Sequence, residues 1–380
     1  MLILPIAGGK GGVGKSLVAA NLAVAIGQSG RRVVLADLDL GASNQHLMLG
    51  IPAGQKGIGT FLTNPKVKFE DVILQTEYKN LRFIPGDAEI PGMANLGSGQ
   101  KKKLIRRLGS IDSDFLILDI GAGTSYNVID FFLMSGHGIV VTNPTPIAIV
   151  NAYLFLKNAV FRIIQSSFGK KSKAAEYLET LRKDTPSLQK LYVPALIENI
   201  RSLDPTSYNA YQEAMSHFHP RIILNMLQDP KDSDRINRLR ISCQQYLGLN
   251  VEHLGIAYRD DLQDVALNSR LPILAYKPNS VLSQALYRIA DKITQIEDDP
   301  SGPLTKSEVE TGYNEAEMEA AADFESKMDY IEDLLHSGAL STGDLVETIK
   351  NQQIEISHLK KENTLYKSKL VKAMHQGYRP

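Results

Sequence analysis

The apolar positions of this chain fall in short unbroken runs, separated by longer stretches with helical spacing. Leu2–Ala7, Arg32–Leu38 (VVLADL after two arginines), Leu81–Pro85, Phe115–Ile120 (FLILDI), Gly138–Thr142, Arg221–Asn225 (RIILN) and His253–Ala257 predict strands. Runs without polar alternation bury both faces, and helices between them require a parallel sheet with right-handed crossovers. The spacing predicts those helices at Lys15–Gln28, Gln100–Leu108, Tyr126–Ser135, Ile147–Phe168, Asp232–Leu247, Asp260–Asn268 and Ser280–Glu297. Phe69–Asn80 and Ile90–Gln100 read as surface connections. The expected fold class is α/β, three layers around a mostly parallel sheet.

Two stretches depart from this alternation. Gly169–Pro220 is polar and helix-rich without a strand signal, and reads as an insertion on one sheet edge. Glu297-Asp298-Asp299-Pro300-Ser301-Gly302-Pro303 reads as a linker. The expected division is therefore a domain over 1–297 with its insertion at about 169–220, a linker over 298–312 and a helical tail over 313–380. The stripe Phe324, Met328, Ile331, Leu335 predicts the first tail helix. In the second, about Thr342–His375, Ile349, Ile356, Asn363 and Leu370 fall at heptad position a. Leu345, Gln352, Leu359, Tyr366 and Ala373 fall at d. Asn363 suits a two-stranded register, and Glu355–Lys360 and Glu362–Lys367 are opposite-sign g–e pairs. Each exposed pair contributes only ~0.2–1 kcal/mol, so they select orientation more than stability. A parallel homodimeric coiled coil is favoured over packing on the core or on a partner helix.

The chemistry is concentrated after the first strand, in Gly8-Gly9-Lys10-Gly11-Gly12-Val13-Gly14-Lys15-Ser16. Gly9–Ser16 fits the phosphate-loop pattern G-x-x-x-x-G-K-[ST], in the strand–loop–helix setting that the pattern requires. Glycines let several backbone N–H groups converge on one anion, and the following helix adds unpaired donors and about half a positive charge. In this motif Lys15 reaches the β- and γ-phosphates and the Ser16 hydroxyl meets Mg²⁺. Asp119 closes the strand FLILD, the place of a carboxylate that reaches the metal. Asp37 and Asp39 close the second strand. Spaced i, i+2 on an extended end, they point to one side, at the carboxyl edge of the sheet where α/β ligands bind.

With Lys10 the loop reads K-G-G-x-G-K-[ST], and it resembles that of the MinD/ParA family of deviant P-loop ATPases. DLDLGASNQHLMLG (37–50) and DIGAGTSYNVIDFF (119–132) are most similar to its FlhG/MinD branch. The resemblance covers about residues 1–297 and implies an ATP- and Mg²⁺-dependent ATPase. It implies that Lys10 crosses to a partner subunit's nucleotide when two subunits sandwich two ATPs. It gives Asp39 the attacking water and a place near the metal with Ser16 and Asp119, while Asp37 reads as structural or as an outer contact of the metal. Gly9, Lys10, Gly11, Gly12, Val13, Gly14, Lys15, Ser16 and Leu17 would hold the nucleotide, and Asn225 would contact adenine. Tyr258-Arg259-Asp260 stands where the family carries a proline. The output implied is a dimerising switch that positions a division, flagellar, motility or other polar assembly, with a protein partner or activator. Two readings compete: a nucleotide-sensing scaffold with little turnover, and a metabolic synthase on the same loop.

Composition narrows these choices. The chain of 380 residues has 42 Lys+Arg against 42 Asp+Glu, so bulk charge makes no case for DNA or an anionic membrane. The polar heptad tail also replaces the basic membrane helix of the family. Cys243 is the single cysteine, which disfavours the paired-cysteine iron–sulfur relatives and suits a small buried hydrophobe. The N-terminus runs directly into a strand and no stretch reads as membrane-spanning, so the expected location is cytoplasmic.

Overall fold

The computed structural model describes residues 1–87, 96–183, 192–296 and 305–336, with helical residues at intervals between 343 and 366. It forms two compact units, Met1–Asp323 and Phe324–Pro380.

The first unit is built on eight strands: β1 (Leu2–Ala7), β2 (Val33–Leu38), β3 (Leu74–Gln75), β4 (Leu81–Ile84), β5 (Phe115–Ile120), β6 (Ile139–Thr142), β7 (Arg221–Leu227) and β8 (Glu252–Tyr258). Their order is β3-β4-β2-β5-β1-β6-β7-β8, parallel except for β3. Every residue of β2 and β5 is buried, as their unbroken apolar runs require. Register fixes the chemistry: Asp37 lies directly beside Asp119 on neighbouring strands, and Ile6, just before the Gly-rich loop, is the other neighbour of Asp119.

Helix α1 (Lys15–Gln28) is buried nearly all round. With α12 (Ile273–Tyr276) and α13 (Val281–Thr294) it shares one core against alternate strand residues such as Leu4, Ile6, Leu35, Ile117 and Val141. The buried Asn21 amide ties α1 to α12, accepting from Leu274 N at 3.3 Å. The remaining helices are α2 (Gln45–Met48), α3 (Ile58–Thr63), α4 (Ser98–Leu108), α5 (Tyr126–Phe132), α6 (Pro146–Ser167), α7 (Lys173–Lys183), α8 (Val193–Leu203), α9 (Pro205–Ser216), α10 (Asp234–Ser242), α11 (Leu262–Asn268) and α14 (Lys306–His336). Helix α6 is long and apolar enough to cross a membrane, contrary to expectation. Its Ala152, Phe155, Leu156, Ala159, Val160 and Ile164 face is instead spent on the core.

Three expectations change. The insertion is helical, α7 to α9, and its contacts run to α6 and to the π-helical turn Cys243–Leu247 at the end of α10, in place of the expected sheet edge. Residues 69–80 hold edge strand β3, too short to show alternation, and bury Phe69 and Val72. The boundary expected at 297 falls inside the first unit. Helix α14 begins within the expected linker, and Val309, Tyr313, Ala316 and Ala320, spaced four, three and four, are buried. This stripe is weak in the sequence because two of its four positions are alanine and all are set among glutamates. It lies over edge strand β8, where Tyr313 stacks on His253 with centroids 5.9 Å apart and Tyr258 Oη donates to Ala320 O at 3.0 Å. Arg288 pairs with Asp323, and Lys292 with Glu319 at 2.9 Å. The single cysteine behaves as expected: burial pushes the Cys243 thiol up to about 12.

His253, fully buried under α14, is pushed down to about 3 by burial, with the Arg240 and Lys292 charges adding to it. The folded state therefore favours the neutral ring. That contribution is complete above the unfolded value of about 6.5 and is lost as pH falls toward 3, at about 1.4 kcal/mol per pH unit. Urea unfolding at a series of pH values from 7 down should show this slope, and His253→Leu should flatten it. Parallel declines in the two proteins would remove the assignment.

The second unit is helical at every described residue, continuing α14 to His336 and resuming at 343. Ile349, Ile356 and Tyr366 are exposed on it. The other heptad residues, Leu345, Gln352, Leu359, Asn363, Leu370 and Ala373, lie outside the described residues or side chains, as do Glu355, Glu362 and Lys367.

Candidate functional site

The Gly-rich loop links β1 to α1 as its pattern requires. Gly12 and Gly14 take left-handed φ of 79° and 83°. At Gly14 a side chain is excluded twice, by φ and by the Asn225 amide nitrogen, 2.1 Å from where a Cβ would lie. At Gly9 a Cβ would sit 2.3 Å from the Asn151 backbone, so α6 presses directly on the loop. Val13 is buried and anchors the loop. Gly11 and Lys10 are exposed, and Lys10 makes no hydrogen bond or ion pair among the described residues.

Behind the loop the structure brings together Lys15, Ser16, Asp119, Asp37 and Asp39. Lys15 Nζ donates to Asp119 Oδ1 and lies 3.2 Å from Ser16 Oγ. Lys15 and Asp119 are both buried. A buried pair of this kind is costly to break by removing one partner. Asp37 is fully buried, and its carboxyl is raised well above the usual range by desolvation and then by the neighbouring Asp119 charge. It works as a scaffold: Oδ1 accepts from Asp39 N at 3.1 Å, and Oδ2 from Ser43 Oγ at 2.6 Å and Gln45 N at 3.2 Å. Asp39 is only partly buried, its Oδ1 3.3 Å from the Cβ position of Gly121, just past β5.

Sequence reasoning passed over Gln45. It is fully buried on α2, and its Nε2 donates to Asp119 Oδ2 at 2.7 Å and to Ser16 O at 2.8 Å. The signal was a glutamine eight residues after Asp37 in a stretch where only aspartates and glycines carry motif weight. Asn225 lies against the loop: its Nδ2 donates to Val13 O at 3.0 Å, and the residue is 2% exposed.

The residues fit a nucleotide with a hard divalent cation. The donor set is a hydroxyl and carboxylate oxygens, and the Gly-rich turn leaves backbone N–H groups for phosphate. Among the described residues no group of three or more His, Cys, Asp or Glu could hold a metal alone.

Fold and loop define a P-loop nucleotide-binding protein. The chain belongs to the CobQ/CobB/MinD/ParA nucleotide-binding domain family, whose model matches residues 4–365, well past residue 297. It is similar to the antiactivator FleN of Pseudomonas aeruginosa, 32% identical over 157 residues, covering 41% of this chain and 55% of that one. It is also similar to the flagellum site-determining protein YlxH of Helicobacter pylori, 32% identical over 156 residues, covering 40% and 52%. The chain thus spans about half the length of these curated relatives. Its fold matches the septum site-determining protein MinD complexed with Mg-ADP from Pyrococcus horikoshii OT3, with TM-score 0.52, 21% identity and coverage of 77% of this chain and 96% of that one. The Pyrococcus furiosus cell division ATPase MinD matches with TM-score 0.53, 20% identity and coverage of 77% and 98%.

Proposed function

We propose that this protein binds and hydrolyses ATP with Mg²⁺ and uses the cycle as a dimerising switch that positions or regulates a cellular assembly. The observation that carries the reading is the loop itself: Lys15 buried on Asp119, beside a second lysine, Lys10, that points out with no partner of its own. Lys15 and the backbone of Gly9–Leu17 would hold the phosphates, and Ser16 and Asp119 the cation, with Asp39 near it. The cation would neutralise charge developing on the phosphate oxygens. Asp39, aimed over Gly121, orients the attacking water; the water's oxygen bonds to the γ-phosphorus as the bond from that phosphorus to the bridging oxygen of ADP breaks, and the water's proton passes to the released phosphate.

A second subunit is favoured by an exposed stripe. Ile147, Val150 and Leu154, spaced three and four on α6, are 62%, 55% and 41% exposed. They flank Asn151, the residue pressed against Gly9, so the stripe and Lys10 share the mouth of the loop. A partner seated there covers the apolar face and receives Lys10. The exposed Ile349 and Ile356 of the tail supply a second seam, of the coiled-coil kind. A cytoplasmic location and a further protein partner or activator go with this reading. Relatives named for flagellar and septum placement support the kind of output, without fixing which assembly is served.

Solution mass by light scattering, with ADP and with a non-hydrolysable ATP analogue, tests the switch. A Lys10→Ala chain that keeps its ADP mass with the analogue, while the wild type doubles, supports it. Wild-type mass indifferent to nucleotide, with ATP turnover negligible, would favour the sensing scaffold.

A further inference from the structure

We propose that Gln45 is a positioning residue for the metal: it fixes Asp119 from behind and holds a carbonyl oxygen ready for a water of the metal's shell. The inference rests on the nucleotide reading above. Both N–H groups of its amide are spent, one on Asp119 Oδ2 and one on Ser16 O. These are the carboxylate that would meet the metal and the backbone of the hydroxyl residue that would meet it. Its own Oε1 is buried and has no hydrogen-bond partner. Native interiors rarely leave a buried carbonyl oxygen without a donor. Three donors of the same cluster are engaged elsewhere: Lys15 Nζ on Asp119 Oδ1, Ser43 Oγ on Asp37, and Gln45 N on Asp37. A donor must therefore reach Oε1 when the site is filled, and a water of the hydrated cation is the one we assign to it.

Gln45 links three strand and helix ends. Through its backbone Gln45 hangs on Asp37 at the end of β2, and through its side chain on Asp119 at the end of β5 and on the start of α1. Lys15 occupies Asp119 Oδ1 in this structure, so Asp119 has a donor on each oxygen. When Lys15 turns to the phosphates, Oδ1 is released and Oδ2 stays clamped. Gln45 therefore decides which oxygen of Asp119 faces the metal. Outer partners of metal ligands commonly tune affinity by about 10- to 100-fold.

The test is the magnesium-driven tightening of fluorescent ADP, the ratio of its Kd in EDTA to its Kd in excess Mg²⁺, in the full chain. Gln45→Met keeps the volume and removes both donors and the acceptor. The expected result is a ratio lowered by about tenfold, with the magnesium midpoint moved to higher concentration. Gln45→Asn, which retains the amide one methylene short, should fall between the two. A ratio equal to that of the wild type in Gln45→Met, at an unchanged unfolding temperature, overturns the proposal. If Gln45→Met does not fold, an unshifted Gln45→Asn does the same. A wild type that binds no ADP at all would bring down the phosphate-loop reading, and this inference with it.

Discussion

Lys15→Ala should abolish nucleotide binding, by at least about 100-fold in affinity, and should also lower the melting temperature of the ligand-free protein. The first effect follows from two charge-assisted contacts to phosphate, at about 1.5–3 kcal/mol each, against about 1.4 kcal/mol per tenfold. The second follows from what Lys15 does without ligand. It is the cation on Asp119, which is buried beside Asp37. Removing one member of a buried pair costs about 3–5 kcal/mol, because the other charge is left alone. The two effects separate in a double variant. Lys15→Ala with Asp119→Asn should recover much of the melting temperature and none of the affinity. Fluorescent-nucleotide titration and thermal unfolding read both. ATP affinity within threefold of wild type in the single variant would end the phosphate-loop assignment.

Lys10→Ala should spare ATP binding and lose hydrolysis. Lys10 is exposed and its side chain makes no hydrogen bond or ion pair among the described residues, so its removal breaks no polar contact in the subunit that carries it. A cation delivered across an interface to the leaving phosphate is worth about 10³–10⁵ in rate where such groups are known, so a loss of at least about 100-fold is expected. Steady-state phosphate release checks it. Turnover within twofold of wild type, with normal ATP affinity, would mean that the second lysine of the loop belongs to another task.

Sequence made the sheet and its loop plain because both depend on strong local signals. An apolar run such as FLILDI has no other stable home than a doubly covered strand, and a glycine at 14 with φ of 83° tolerates little else. The same pattern placed Lys15, Ser16 and Asp119 together before any coordinates. What escaped it depends on long-range packing. Gln45 carries no motif of its own, and only its meeting with Asp119, 74 residues away in sequence, makes it informative. Asn225 closes the strand expected from the sequence, but β7 runs on to Leu227 and the Asn225 amide turns to Val13 O beside Gly14, a contact across the loop that no local pattern encodes. The stripe on α14 is half alanine and set among glutamates, so it reads as solvent-facing until β8 is laid beneath it. Edge strand β3 is two residues long, and two residues have no period.

Helix α14 also settles how this sheet ends. β8 is the last strand of the order, and an outermost strand left bare offers its backbone to any other chain. With Tyr313 stacked on His253 and Tyr258 fastened to Ala320, the protein's own helix covers part of that margin. A strand arriving from another chain meets that helix first, which hinders strand-by-strand growth along this border.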